Sequence, residues 1–170
     1  VYLCGLEVER SSGDLLIDYL EQHPEFDLYF APGPRIGSIP AERLERLFRL
    51  RPLIHLNAGE ALTVTGCSNL HRAVKSLCAA TRGRVVVTLG ARGVICAEGE
   101  TIIEVPGRPA KVQDTIGAGD SHIGAMIAGL ARGLSFAQAA SNANVFAAAV
   151  ASNPGAILPR EVFESLCFEF

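Results

Sequence analysis

Several large functional classes are excluded by what this sequence lacks. It has no basic block: 15 Lys and Arg stand against 18 Asp and Glu, leaving a net charge of −3. That composition argues against nucleic acid as the main partner. No apolar run approaches a membrane span. The longest are Val85 to Leu89 and Ala143 to Ala151, the latter broken by Asn144. No basic segment precedes an apolar one near the start, so no secretory signal is expected. The cysteines (Cys4, Cys67, Cys78, Cys96, Cys167) are odd in number and form no C-x-x-C pair. The histidines (His23, His55, His71, His122) show no i, i+4 pairing. A disulfide framework and a zinc site are therefore not expected, and reduced thiols in the cytoplasm are the simplest reading. There is no Gly-Lys pair anywhere, which excludes a P-loop.

What remains is a chain of 170 residues, 49% hydrophobic and 19% charged, the balance of a globular protein with a sizeable core. Short apolar runs alternate with amphipathic stretches. Strands are expected over Val1–Cys4, Asp27–Phe30, Leu53–Leu56 and Val85–Leu89. The last is the strongest, being β-branched and bounded by glycine. Helices are expected over Ser12–Gln22, with Leu15, Leu16, Tyr19 and Leu20 apolar, over Pro40–Leu50 and over Asn69–Ala80. Ala31 to Arg35, with two prolines, reads as irregular. Strand and helix alternating at this pace imply βα units and a mostly parallel sheet flanked by helices. Val94–Ala97 and Thr101–Val105, joined by Glu98-Gly99-Glu100, add a β-hairpin portion. A single α/β domain is expected over residues 1–170.

The most informative stretch is Asp114-Thr115-Ile116-Gly117-Ala118-Gly119-Asp120. Gly117 and Gly119 permit a tight turn that exposes several N–H groups in one direction. A helical pattern follows, with Ile123, Ile127 and Leu130 on one face, up to Gly133. A glycine turn opening a helix favours negative charge. An acidic side chain there would repel a resting phosphate, so a chemical role is the economical one. The amides hold charge developing on a transferred group, and Asp120 takes a proton from the nucleophile. A dinucleotide fingerprint does not fit, because its third glycine position is occupied by His122 and no apolar strand precedes the turn.

This D-T-x-G-A-G-D run resembles the signature of the PfkB carbohydrate kinase, or ribokinase-like, family. The resemblance implies that Asp120 is the general base and that Gly117, Ala118 and Gly119 form the anion hole for the transferred phosphoryl. Other segments agree. Thr88, Gly90 and Gly93 match the family's T-x-G-x-x-G segment, which approaches nucleotide phosphates and ribose; a plain hairpin is the competing reading. Arg92 in that turn is read as a solvated side chain. Asn57 and Glu60 match its N-x-x-E motif, which organises Mg²⁺ largely through water. Their spacing equally fits an N-cap with a capping-box glutamate. Asp114 with nearby carbonyls, such as that of Ile116, matches a monovalent-cation site of the K⁺ type; a turn-bonded aspartate competes. Asn144, on the helix capped by Ser135, is expected beside the adenine or, alternatively, satisfied by backbone. Gly155 falls in a segment, Asn153-Pro154-Gly155-Ala156, that resembles the family's closing loop. His122 departs from the family pattern, which commonly carries Phe there, and is read as a packed ring.

The implied activity is ATP- and Mg²⁺-dependent phosphoryl transfer to a hydroxymethyl group of a small sugar. A nucleoside kinase of the same family and a non-catalytic nucleotide-binding module are the alternatives. The start, Val1-Tyr2-Leu3-Cys4-Gly5, reads like the interior of a strand. The family resemblance covers only its C-terminal, nucleotide-binding half. An N-terminal half bearing the lid, which in such proteins can form a homodimer interface, is expected to lie outside this chain.

Overall fold

The computed structural model describes residues 1–167. The strands are β1 (Tyr2–Cys4), β2 (Tyr29–Ala31), β3 (Leu53–Asn57), β4 (Arg84–Thr88), β5 (Gly93–Glu98) and β6 (Thr101–Pro106). The helices are α1 (Gly5–Glu9), α2 (Gly13–Gln22), α3 (Ala41–Arg49), α4 (Ala58–Thr65), α5 (Leu70–Thr81), α6 (Ala118–Ala131), α7 (Phe136–Ala151) and α8 (Arg160–Cys167). Short 3-10 turns occupy Gly33–Ser38 and Gly90–Arg92.

The six strands lie in one sheet in the order β1-β2-β3-β4-β5-β6. β1 to β4 are parallel, in register through Leu3↔Phe30, Phe30↔Ile54 and Ile54↔Val85. Only a few residues join β4 to β5 and β5 to β6. Such connections are too short for parallel crossovers, so these strands return as hairpins. The sequence dictates this arrangement simply. Leu53, Ile54 and Leu56 of β3 and Val85 to Val87 of β4 are apolar on both faces because both faces of a central parallel strand are buried, and all of them are buried here, as is His55 between them. Each such side chain contributes about 1.5–3 kcal/mol on burial.

The chain divides into two compact units, Val1–Thr88 with Ile95–Ile103, and Leu89–Val94 with the segment from Glu104 onward. In the first unit, Phe30, Ile54, Leu56, Val74, Leu77 and Ile95 form the core. Arg43 ties its helices together. Its guanidinium donates to the carbonyls of Val8, Glu9 and Arg10 at 2.8, 3.0 and 2.7 Å and to Asp14 at 3.0 and 2.5 Å. It thereby satisfies the exposed end of α1. Arg46 bridges Asp18 and Glu21, each at 2.6 Å, and these contacts hold both carboxyl-bearing turns of α2 to α3. In the second unit α6 and α7 pack together around Ile123, Met126, Ala139, Ala140 and Ala143. The alanines of α7 allow that close approach.

Three local expectations change. α1 had no counterpart in the sequence reading. The proline-rich segment after β2 forms a 3-10 turn with Pro32 at its N-cap, because proline fixes the dihedral such a turn needs. α2 buries Gly13, Ile17 and Leu20, while Leu15 is 72% and Tyr19 52% exposed. Cys4, Cys67, Cys78 and Cys96 are unbridged thiols. Burial pushes Cys96 up to about 12, which makes it chemically inert. The side chain of Cys167 lies outside the described residues. Among the described residues no helix is long and apolar enough to cross a membrane.

Candidate active site

Gly117 is the N-cap of α6 and sits at φ 79°, a left-handed conformation that glycine adopts without strain. A Cβ there would also lie 2.6 Å from the Ala156 Cβ, so the turn and the loop carrying Gly155 abut. The first turn of α6 closes through Ser121 N–H donating to Gly117 O at 2.8 Å. The Ala118 N–H donates to Thr115 O at 3.2 Å. Helix geometry leaves the Gly119 and Asp120 amides without intrahelical acceptors, whereas the Ala118 N–H of the proposed anion-hole trio is engaged by Thr115 O. Asp120 is exposed, and its carboxylate accepts no hydrogen bond from any described residue.

The segment before this turn hangs on α7. Gln113 and Asp114 N–H donate to Ala151 O at 2.8 and 3.3 Å, and Gln113 Nε2 donates to Ser152 O at 2.7 Å. Asp114 is half-buried, and its Oδ1 accepts from Ile116 N–H at 2.9 Å. This is the turn-bonded state. Its second oxygen and the neighbouring carbonyls are hard donors of the kind a monovalent cation takes. Beyond α7, Asn153 Nδ2 donates to Gly155 O at 3.1 Å and Ile157 O at 3.0 Å, and this closes the loop that faces Gly117.

Gly90 opens the 3-10 turn, and Gly93 at φ 99° ends it. A Cβ on Gly93 would collide with Val105 O and Gly107 N, and Gly107 N–H donates to Arg92 O at 3.2 Å. The turn therefore lies flat on the end of β6. Asn144 is buried at 6% exposure. Its Nδ2 donates to Pro106 O at 3.0 Å and to Val105 O at 3.4 Å, the backbone-satisfied arrangement. His122, on α6, is only 2% exposed. Burial pulls that imidazole down to about 4, against the weaker opposing effect of the bond to Asn144. The contact of Asn144 with the end of β6 is not visible in the sequence, because the partners lie on separate elements.

Along α7, a cavity of about 600 Å³ is lined by Arg108, Pro109, Asn142, Val145, Ala148, Ala149 and Ser152. Its size and mixed lining suit a heteroaromatic base with a sugar. A second cavity, about 620 Å³, lies between α6, α7 and α8 and is mostly apolar, with Phe146 and Phe163 in its wall and Ser121, Arg132 and Asn142 as its polar members. That lining offers little to a nucleotide, so the first cavity is the better candidate despite its smaller size.

In the other unit, Asn57 and Thr88 are register partners at the carboxyl ends of β3 and β4. Thr88 Oγ1 donates to Leu56 O at 3.4 Å. Asn57 caps α4 in a complete capping box. Its Oδ1 accepts from Glu60 N–H at 2.9 Å, and Glu60 Oε2 accepts from Asn57 N–H at 2.9 Å. Asn57 Nδ2 also donates to Glu60 Oε1 at 2.7 Å. Among the described residues no group of three metal-ligating side chains exists. One carboxylate beside one amide fits Mg²⁺ held through its own waters, and not a protein cage.

A sequence model of the pfkB family carbohydrate kinases matches residues 1–162. The chain belongs to the PfkB family. A curated relative, the uncharacterized sugar kinase YegV of Escherichia coli K12, is 33% identical over 159 residues, which are 91% of this chain and 50% of that protein. The PfkB fold is equally clear in solved structures. Aminoimidazole riboside kinase from Salmonella enterica, solved with aminoimidazole riboside and an ATP analog, superposes with a TM-score of 0.80 at 21% identity, covering 98% of this chain and 61% of its own. Adenosine kinase from Sinorhizobium meliloti superposes with a TM-score of 0.86 at 19% identity, covering 99% and 54%. These likenesses establish the ribokinase-like fold. This PfkB chain spans about half the length of that curated relative.

Proposed function

We propose that this chain is the nucleotide-binding portion of an ATP-dependent kinase that phosphorylates the hydroxymethyl group of a sugar. The observation that carries the reading is the juxtaposition at the start of α6. Unspent helix amides follow a left-handed Gly117, and an uncommitted, exposed Asp120 carboxylate stands on the same turn.

In this reading Asp120 accepts the proton of the acceptor hydroxyl as its oxygen bonds to the γ-phosphorus, and ADP departs as the bond to its β-phosphate oxygen breaks. The amides after Gly117 hold the charge on the moving phosphoryl. The cavity along α7 takes the base, and the Gly90–Gly93 turn takes the ribose and phosphates. Asn57 and Glu60 would orient the waters of Mg²⁺, which when bound neutralises phosphate charge. Asp114 and the Ile116 carbonyl would hold K⁺ beside the anion hole.

The test uses the full-length protein with Mg·ATP and a panel of sugars and nucleosides, in potassium and again with tetramethylammonium in its place. Transfer to a sugar is expected, slower without potassium. Asp120→Asn should lower turnover by about 10³-fold or more while leaving nucleotide affinity within about twofold, the signature of a group used only in the transition state. Unchanged turnover would remove Asp120 as base. Transfer to nucleosides alone would change the acceptor class. Saturable nucleotide binding with no transfer to any acceptor would leave a binding module in place of an enzyme.

A further inference from the structure

Two backbone segments of the second unit cross where β6 ends. Gly93 closes the 3-10 turn and Gly107 follows β6, and each has the other segment's backbone where a Cβ would stand. A Cβ on Gly93 would strike Val105 O and Gly107 N, and one on Gly107 would strike Ala91 O. Gly107 N–H donates to Arg92 O at 3.2 Å and locks the crossing. Arg92 directly precedes one of these glycines, and Arg108 directly follows the other. The crossing thus sets two arginines on neighbouring backbone, although they are distant in sequence.

Both side chains are exposed, and among the described residues neither meets a carboxylate. Arg43 and Arg46, which serve the fold, are each bound to carboxylates. Arg108 Nη2 donates to Ser141 Oγ at 3.4 Å, and the residue stands in the wall of the α7 cavity with Asn142 and Ser152. The turn itself has little backbone left for an anion. Leu89 N–H donates to Gly93 O at 2.7 Å, Arg92 N–H to Leu89 O at 3.4 Å, and Gly93 N–H to Gly90 O. Amides that could cradle a phosphate are spent within the turn, so positive charge there has to come from side chains. From the sequence Arg92 reads as solvated. The fold gives it a like-charged neighbour, and such a pair repels until a multiply charged anion bridges it. Each guanidinium offers paired N–H donors that match two phosphate oxygens, so two of them suit a polyphosphate better than a single phosphate.

We propose that Arg92 and Arg108 form a two-armed grip on the polyphosphate of the nucleotide, which makes this chain selective for a tri- or diphosphate over a monophosphate. Arg108, in the cavity wall, meets the phosphate nearest the base, and Arg92 meets those beyond it. That the anion is a nucleotide rests on the kinase reading of the α7 cavity, whereas the grip on a polyphosphate does not.

The experiment titrates the full-length protein calorimetrically with ATP, AMP, adenosine and inorganic tripolyphosphate at fixed Mg²⁺, and repeats this in Arg92→Gln, Arg108→Gln and Arg92→Lys. Each glutamine variant should bind ATP and tripolyphosphate about 10- to 100-fold more weakly, the scale of a lost charge-assisted hydrogen bond. The preference for ATP over AMP should shrink in both, and the salt dependence of ATP binding should flatten. Adenosine affinity in Arg92→Gln should stay within about twofold of the parent, because the lost contact is to phosphate. Arg92→Lys keeps the charge without the fork and should recover part of the loss. ATP affinity unaltered in either glutamine variant would overturn the two-armed grip, and so would an equal loss for ATP and adenosine in Arg92→Gln. A parent that transfers phosphoryl while the variants bind ATP as it does would sink the grip alone. A parent that binds tripolyphosphate through both arginines yet transfers nothing would refute the kinase reading and leave the grip standing. A parent that binds neither ATP nor tripolyphosphate would remove both.

Discussion

Asp120 and His122 are separated by one residue on α6 and meet opposite surroundings. The carboxylate stands in solvent with its oxygens uncommitted, while the imidazole is enclosed. Enclosure has a consequence for stability as pH changes. Burial lowers His122 from an ordinary 6.5 to about 4, so the folded chain resists a proton that the unfolded chain accepts. The unfolded state therefore binds more protons between those values, and stability rises with pH across the window. The contribution is complete above about pH 6.5 and is lost as pH falls towards 4. It amounts to about 3 kcal/mol at most by linkage. Urea unfolding of the wild type and of His122→Phe at pH 7 and pH 4.5 measures it. Carboxylates titrate in both proteins and cancel, so the difference in stability between the two should shift in favour of His122→Phe on acidification. A difference independent of pH would show that the imidazole is hydrated in the folded chain.

At the scale of single elements, α4 begins with a pair of residues that serves two ends at once. Asn57 and Glu60 satisfy three donors between them, which accounts for their presence without any metal. Whether they also orient a hydrated cation is separable by substitution. Glu60→Gln keeps a capping-box acceptor and removes the charge, so its melting point should change little. Glu60→Ala should cost about 1 kcal/mol. If the pair orients Mg²⁺ through water, both variants should raise the Mg²⁺ concentration needed for half-maximal activity by about tenfold, the usual effect of an outer-sphere partner. A wild-type Mg²⁺ dependence in Glu60→Gln would confine the pair to capping. The caps of α4 and α7 are also where the sequence was most legible, since Asn57 and Ser135 each accept from the amide three residues on. The buried run of β4 was equally plain, because Val85, Val86 and Val87 leave no polar face to confuse it, and β3 was legible despite its buried His55. α1 was not legible, since five residues are too few to show a period. The inner face of α2 was misjudged because Leu15 and Tyr19 are as apolar as Ile17, and only the packing decides between them. For the candidate site, the glycine turn and Asp120 could be read from spacing, whereas the two readings of Asn144 differ only in a contact to carbonyls 38 and 39 residues away. Local sequence holds no signal for such a contact.

For the whole molecule, the division into two compact units bears on whether the chain is one domain. Strands cross the division. Gly93 and Val94 of β5 belong to one unit and Ile95 to Glu98 to the other, and β6 changes unit between Ile103 and Glu104. A strand paired along one part of its length cannot lose the rest cheaply, because each ladder hydrogen bond left without a partner in the interior costs about 1–3 kcal/mol. We therefore propose one cooperative α/β domain. The chain supplies its own probes. All three tyrosines, Tyr2, Tyr19 and Tyr29, lie in the first unit, and there is no tryptophan. Tyrosine fluorescence consequently reports the first unit alone. The two longest helices, α6 and α7, lie in the second, so helical circular dichroism reports both. Urea transitions followed by the two signals should coincide within error, which is the test of an all-or-none process. If the fluorescence transition ran to completion while a substantial helical signal persisted, the second unit would be folding on its own. β5 and β6 would then be strands shared between units of separate stability, and the Gly117 turn would not depend on the parallel sheet for its order.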